Sequence, residues 1–428
     1  MCLICFLQEQ YQYELRNTSK IRSDRFEHTL YKYKNSFIRE FNESLTEICD
    51  DHNNENNIKI INILKEVDIK YIDRFFKTLI DVYISWINAD LWTSIQEFEG
   101  LLKDYNILDQ YENIDDLVLF RGRRSKSFIS HWDMFHIPFN KRFHIGNQRY
   151  SLVGQPLLYL ATSPYCVYRE LESSEDLRIS SFRFKDKCSM KIFNNSNLFY
   201  KYIKNDKDES AISLTDRMIV DNVNELEGKD IVQKFFLLIL ASVCSFQRRE
   251  ELKGTSFCEE YVLPQILAQI VKNNEFDGVM YTSTKSYYDK FVVGNELLTN
   301  LIYKNICLFT NYDKSNVKDV TYVYDKKLYE KFILSAPIAF DLDLDDKYYK
   351  VKRSLELVKK LFSENKMNTS DENIIYNINQ VLISYVDISK NRYDNEEYTR
   401  ASNLHCLLLR NIILNIIEEI KEDEIKNE

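Results

Sequence analysis

Between residues 149 and 172 the chain reads RYSLVGQPLLYLATSPYCVYRELE. An arginine opens this run (Arg149), a tyrosine sits in its middle (Tyr159) and a glutamate stands near its end (Glu170). A guanidinium offers planar donors to phosphate-like anions. An aromatic face accepts flat or cationic ligands, and a carboxylate can meet positive charge that develops in a transition state. Two further segments carry polar residues between apolar ones: LFRGRR (Leu119 to Arg124) and YVLPQILAQIVKNNEFDGVMYTSTKS (Tyr261 to Ser286). Taken singly, each residue has a plainer reading: Glu170 as a solvated helix carboxylate, Arg121 and Arg149 as strand-end charges, Tyr159 as core, Ser283 as a turn hydroxyl.

The elements that must position these residues are legible locally. Leu157 to Ala161 is a short apolar run expected to form a buried strand, and Ser163-Pro164 then opens a helix that carries Glu170. Pro264 likewise starts a helix whose Ile266, Leu267 and Ile270 face inward. All eight glycines lie between Gly100 and Gly294, and only one proline, Pro337, lies outside that span. Glycine marks turns, so the turn-rich, mixed part of the chain is the middle and the flanks are expected to be mainly helical. Within Ile58 to Trp92, residues Ile61, Leu64, Ile72, Phe75, Phe76, Leu79 and Tyr83 recur at helical spacing. Leu404, Leu408, Ile412, Ile416 and Ile420 do the same near the other end. No flexible linker is visible, so the flanks are expected to pack on the middle of the chain, controlling access to it or building an oligomer.

Composition excludes several classes. The chain has 428 residues, of which 44% are hydrophobic and 29% charged, as in an ordinary folded protein with room for two or three domains. A formal charge of −9 disfavours nucleic acid as a partner. No apolar run approaches a membrane span and no signal peptide is evident, so a cytoplasmic protein without membrane association is expected. Nine scattered cysteines do not read as a disulfide framework. Cys2 and Cys5 form a CxxC without a second CxxC, read here as terminal packing; no metal is expected, from these or from His131, His136 and His144. There is no GxGxxG after a strand, no P-loop, no HExxH and no GxSxG.

Five ordered segments between about Leu117 and Phe309 resemble the RES family, whose members include bacterial toxins that consume NAD. They are LFRGR, MFHIPFNKR, the run from Arg149 to Glu172, EEYVLPQILAQIV and FDGVMYTSTKS. The resemblance implies an α+β fold: a small bent β core like that of ADP-ribosyltransferases in the middle, flanked by mainly α-helical N- and C-terminal regions. The expected division is 1–109, helical; 110–310, RES-type catalytic domain with an insertion around 173–258; and 311–428, helical. Arg121, Tyr159 and Glu170 match the family's catalytic positions. Arg149 and Ser283 match NAD-binding positions, and the family's closing asparagine falls on Asn305 or Asn300. The chain departs from many members in having Tyr150-Ser151 after Arg149, and in the roughly ninety residues separating Glu170 from YVLPQ.

NAD is thus the implied substrate. Nicotinamide leaves as a neutral molecule from a cationic glycoside, so the bond needs no acid to protonate the leaving group and one carboxylate suffices. Glu170 would hold a hydroxyl of the nicotinamide ribose and stabilise charge on the sugar. Tyr159 would orient the nicotinamide, and Arg121 and Arg149 would hold the pyrophosphate. Ser283, with no evident base, is a hydrogen-bonding group rather than a nucleophile. The expectation is an NAD glycohydrolase or phosphorylase acting as a bacterial toxin or defence effector, with an antitoxin or regulatory protein and a homo-oligomer among its possible partners. The alternatives are an ADP-ribosyltransferase modifying a protein, a HEPN-like ribonuclease using Arg22 and His28 or Arg400 and His405, and a non-catalytic ligand-binding assembly module.

Overall fold

The computed structural model describes residues 1–47, 49–115, 117–127, 129–171, 176–185, 187–203, 227–249, 251, 254–285 and 303–339. Leu404 to Ile420, Arg400 with His405, and Asn300 lie outside them. The fold is mixed α+β. In chain order the described helices are α1 (Leu3–Leu7), α2 (Glu9–Asn17), α3 (Phe26–Ser44), α4 (Glu55–Lys65), α5 (Ile69–Ile87), α6 (Leu91–Asp104), α7 (Pro164–Leu171), α8 (Gly228–Cys244), α9 (Val262–Asn273) and α10 (Lys326–Tyr329). The strands are β1 (Tyr111–Ile114), β2 (Val118–Arg124), β3 (Leu157–Ala161), β4 (Leu177–Phe184), β5 (Met190–Asn195), β6 (Gly278–Thr282), β7 (Lys304–Phe309), β8 (Phe332–Leu334) and β9 (Ile338–Ala339). The chain divides into two compact units, each built from three segments: 1–112, 143–155 and 191–300 in one, 113–142, 156–190 and 301–428 in the other.

The first unit is largely helical, and its helix boundaries follow from capping. The apolar stripe from Ile58 to Trp92 is broken into α4, α5 and the start of α6. Asp68 accepts from the Lys70 amide at 2.9 Å to start α5, and Asp90 accepts from the Thr93 amide at 3.2 Å to start α6. Ala89 turns the chain between them with φ +64°. The inward residues of α5, Ile72, Phe75, Phe76, Leu79 and Tyr83, are all buried. Through Phe75 they reach α8, which is apolar almost all round and buried from Phe235 to Cys244. Phe235 packs on Phe37 and Phe41, and Phe236 on Phe75 and Tyr105. Each such ring contributes about 1.5–3 kcal/mol of burial. Beside this core β5 and β6 pair in parallel, Ile192 against Gly278 through Asn195 against Tyr281.

The second unit holds an antiparallel sheet in the order β7-β3-β2-β4-β8, with β9 also on β4. β2 pairs with β4 along its whole length, from Val118 opposite Arg183 to Arg124 opposite Leu177. With β3 it pairs only at Phe120 opposite Ala161. Where it is described, the interval 173–258 supplies core elements: β4 lies between β2 and β8 in this sheet, and α8 is core of the other unit. The sheet also continues past residue 310, because β8 and β9 both pair with β4.

Candidate functional site

Glu170 is carried by α7, whose start is fixed as its sequence indicates. The Ser163 hydroxyl accepts from the Cys166 amide at 3.0 Å, and Pro164 takes the first helical position, where no amide donor is needed. The helix lies directly on β2 at Gly122. A Cβ there would come within 2.8 Å of Leu171 Cδ1 and closer still to Val167 Cγ1. Only a residue without a side chain lets α7 approach this closely.

At the far end of α7, Glu170 Oε1 accepts from Asn305 Nδ2 at 2.6 Å. Asn305 stands on β7 opposite Ala161 of β3, and its other amide atom, Oδ1, lies 3.5 Å from the Cys166 thiol. Tyr159 is two residues along β3, opposite Cys307 and half-buried. The carboxylate, its amide partner and the tyrosine strand are therefore tied together by α7, β3 and β7.

Arg121 enters from β2. Where the β2–β3 ladder has ended, its Nη1 donates to the Tyr159 carbonyl at 2.9 Å. Its Nε is buried and has no hydrogen-bond partner among the described residues. Burial is the main influence on this guanidinium and the Arg123 charge adds to it, pulling its pKa down to about 10 against the opposing pull of Tyr159 and Cys307. It still carries its charge at neutral pH. A cation with an unused buried donor is suited to an anionic group, because leaving that donor unpaired costs about 1–3 kcal/mol.

Arg149 and Ser283 belong to the first unit. Arg149 is buried and its donors turn inward: Nη1 to the carbonyls of Cys244 and Phe246 at 2.8 and 3.1 Å, Nη2 to Thr284 Oγ1 at 3.3 Å. The guanidinium also lies 4.8 Å from the Tyr261 ring centre. Its pKa is raised: burial alone would lower it, but the surrounding tyrosines Tyr261, Tyr150 and Tyr281 outweigh that. Arg149 thus secures the end of α8 to the turn after β6. Ser283 in that turn is fully buried and its hydroxyl accepts from the Lys285 amide at 3.2 Å.

The histidine trio does not assemble. His136 uses both ring nitrogens, Nδ1–H to the Ile137 carbonyl at 2.7 Å and Nε2 accepting from the Asp325 amide at 2.9 Å. His131 packs at a tilt beside Trp132 and Tyr329. Arg22 faces Glu260 at 3.6 Å while His28 meets Ser23 at 3.1 Å, so each has its own partner. What the spacing of the sequence did not bring forward is a cluster in the first unit, where Cys2 and Cys5 meet Cys49 and His52. The signal was a second pair at the same x2 spacing, mixed in ligand type and far along the chain.

No described helix is long and apolar enough to cross a membrane. No family model matches the chain, and no solved structure matches it. It is 26% identical over 302 residues to the Bacillus subtilis (strain 168) protein named "Putative toxin YopC", an alignment covering 64% of this chain and 60% of that protein.

Proposed function

We propose that this chain is a RES-type toxin that consumes NAD by breaking the bond between nicotinamide and ribose. The observation that carries this reading is the Glu170–Asn305 hydrogen bond in the unit where Arg121 keeps a buried Nε with no hydrogen-bond partner among the described residues. The name of the B. subtilis relative supports the toxin role. In this reading Asn305 fixes the orientation of the carboxylate, which accepts a hydrogen bond from a ribose hydroxyl. As the glycosidic C–N bond breaks, its electron pair neutralises the nicotinamide ring, and the positive charge left on the sugar faces Glu170. Arg121 supplies donors for a phosphate oxygen, and Tyr159 offers its ring to the nicotinamide. Arg149, whose donors are taken by its own unit, positions the Ser283 turn rather than binding phosphate.

The acceptor of ADP-ribose decides between hydrolysis, phosphorolysis and protein modification. Incubating the purified chain with NAD, with and without phosphate and with candidate proteins, resolves these as free ADP-ribose, a phosphorylated ADP-ribose or labelled protein, each with free nicotinamide. NAD that survives intact while RNA is cleaved would replace this reading with the ribonuclease one.

A further inference from the structure

We propose that Cys2, Cys5, Cys49 and His52 bind one Zn(II) ion in a closed, structural site. The four ligand atoms lie within 4.8 Å of one another. Their six separations describe a tetrahedron. Cys2 Sγ is 3.4, 3.2 and 3.4 Å from Cys5 Sγ, Cys49 Sγ and His52 Nδ1. Cys5 Sγ is 3.8 Å from Cys49 Sγ and 3.4 Å from His52 Nδ1, and Cys49 Sγ is 3.0 Å from His52 Nδ1. A regular tetrahedron with edges of about 3.4 Å has its centre ~2.1 Å from each corner, which matches zinc's bonds of ~2.3 Å to sulfur and ~2.0–2.1 Å to nitrogen.

Local structure delivers the ligands in two turns of the same spacing, C-x2-C and C-x2-H. Cys2 is the N-cap of α1 and its sulfur accepts from the Cys5 amide at 3.4 Å, a bond that offsets thiolate charge. Cys49 precedes a single 3-10 turn, Asp50–His52, closed by the His52 amide on the Cys49 carbonyl at 3.1 Å. Asn57 Nδ2 in turn holds the His52 carbonyl at 3.3 Å, and the Asn54 side chain caps α4 through the Asn57 amide.

The chemistry selects the ion. Three thiolates and an imidazole are soft to borderline donors, unsuited to magnesium or calcium and suited to zinc. Cys2 and His52 are buried and the protein supplies all four ligands, so no position remains for a substrate or a catalytic water. The thiols are free, with sulfur separations far beyond the ~2.05 Å of a disulfide. Binding would displace the thiol protons and join residue 5 to residue 49 around α2 and α3, making metal affinity part of the stability of the helical unit. The ligands belong to one unit and Glu170 to the other, so this inference and the NAD reading fail separately.

Full-length protein purified without chelator should carry one zinc per chain by plasma mass spectrometry, retained through gel filtration. Zinc should fall to background in the Cys49→Ser, His52→Ala double variant and stay unchanged in Cys188→Ser. Should the double variant not fold, His52→Cys keeps four ligands: loaded with Co(II), it and the parent should both show the strong visible bands of tetrahedral cobalt thiolate, shifted between the two. Background zinc in the parent together with no such cobalt bands would overturn the proposal. So would a Cys2–Cys5 disulfide in freshly purified parent protein.

Discussion

At the scale of single residues, the proposed chemistry rests on one carboxylate and on what orients it. Glu170→Gln should leave the fold intact and lower kcat for NAD roughly 10²- to 10³-fold, the usual loss when one interaction specific to the transition state is removed. Unaltered turnover in the folded variant would remove Glu170 from the reaction. Asn305→Ala should cost less, about 10- to 100-fold, as befits one hydrogen bond to a charged group. His136 makes a separate prediction about stability. Burial, the largest influence, lowers its pKa from 6.5 to about 4, against the opposing pull of the Ile137 carbonyl and Asp325. The folded state thus favours the neutral ring, so its stabilising effect is present above pH 6.5 and is lost as pH falls from there through 4. Urea midpoints should drop over that range by an amount on the order of 3 kcal/mol at most, and His136→Gln should flatten this part of the profile. The residue types at the site were legible in the sequence, but their partners were not. Nothing in the spacing says that Arg149 would spend its donors on the end of α8, or that Asn305 rather than a neighbouring asparagine would meet Glu170.

At the scale of elements, the close approach of α7 to β2 places the carboxylate, and Gly122 permits it. Gly122→Ala forces its new methyl into Val167 and Leu171, so α7 must move. Overpacking of this kind costs about 1–3 kcal/mol. The melting temperature should fall, and NAD turnover measured well below it should fall too, because Glu170 rides on the displaced helix. A variant with lowered melting temperature but parental turnover would mean that the position of α7 does not set the chemistry. Local signals served well where they were self-contained. Leu157 to Ala161 is a strand, and Ser163-Pro164 starts the helix after it, because an apolar run and a cap act within a few residues. β4 falls in the stretch read as an insertion from the roughly ninety residues that separate Glu170 from YVLPQ, a spacing that carries no sign of its burial at seven of eight residues. Its place in the sheet depends on pairing with β2, a long-range fact that no local pattern carries.

At the scale of the whole molecule, the sequence suggested a catalytic middle bounded near residues 110 and 310, with helical flanks packed on it. The compact units cut across those boundaries, because α8, well inside the middle, shares its core with the N-terminal helices. Phe235 packs on Phe37 and Phe41, Phe236 on Phe75, and Phe246 just beyond α8 on Phe26 and Tyr33. Glycine content marked where turns are frequent, but it could not mark which helices share a core. Excising 110–310 would therefore strip the buried face of α8 of its aromatic partners and remove β8 and β9 from β4. A face of this kind left in water drives association or loosens packing. The fragment should be poorly soluble or, if soluble, should bind ANS strongly, lack near-UV ellipticity and unfold without a cooperative transition. The full chain should show none of these. A fragment 110–310 that melts cooperatively, leaves ANS dark and turns over NAD would make the N-terminal helices dispensable, and would return the catalytic boundaries to those the sequence suggests.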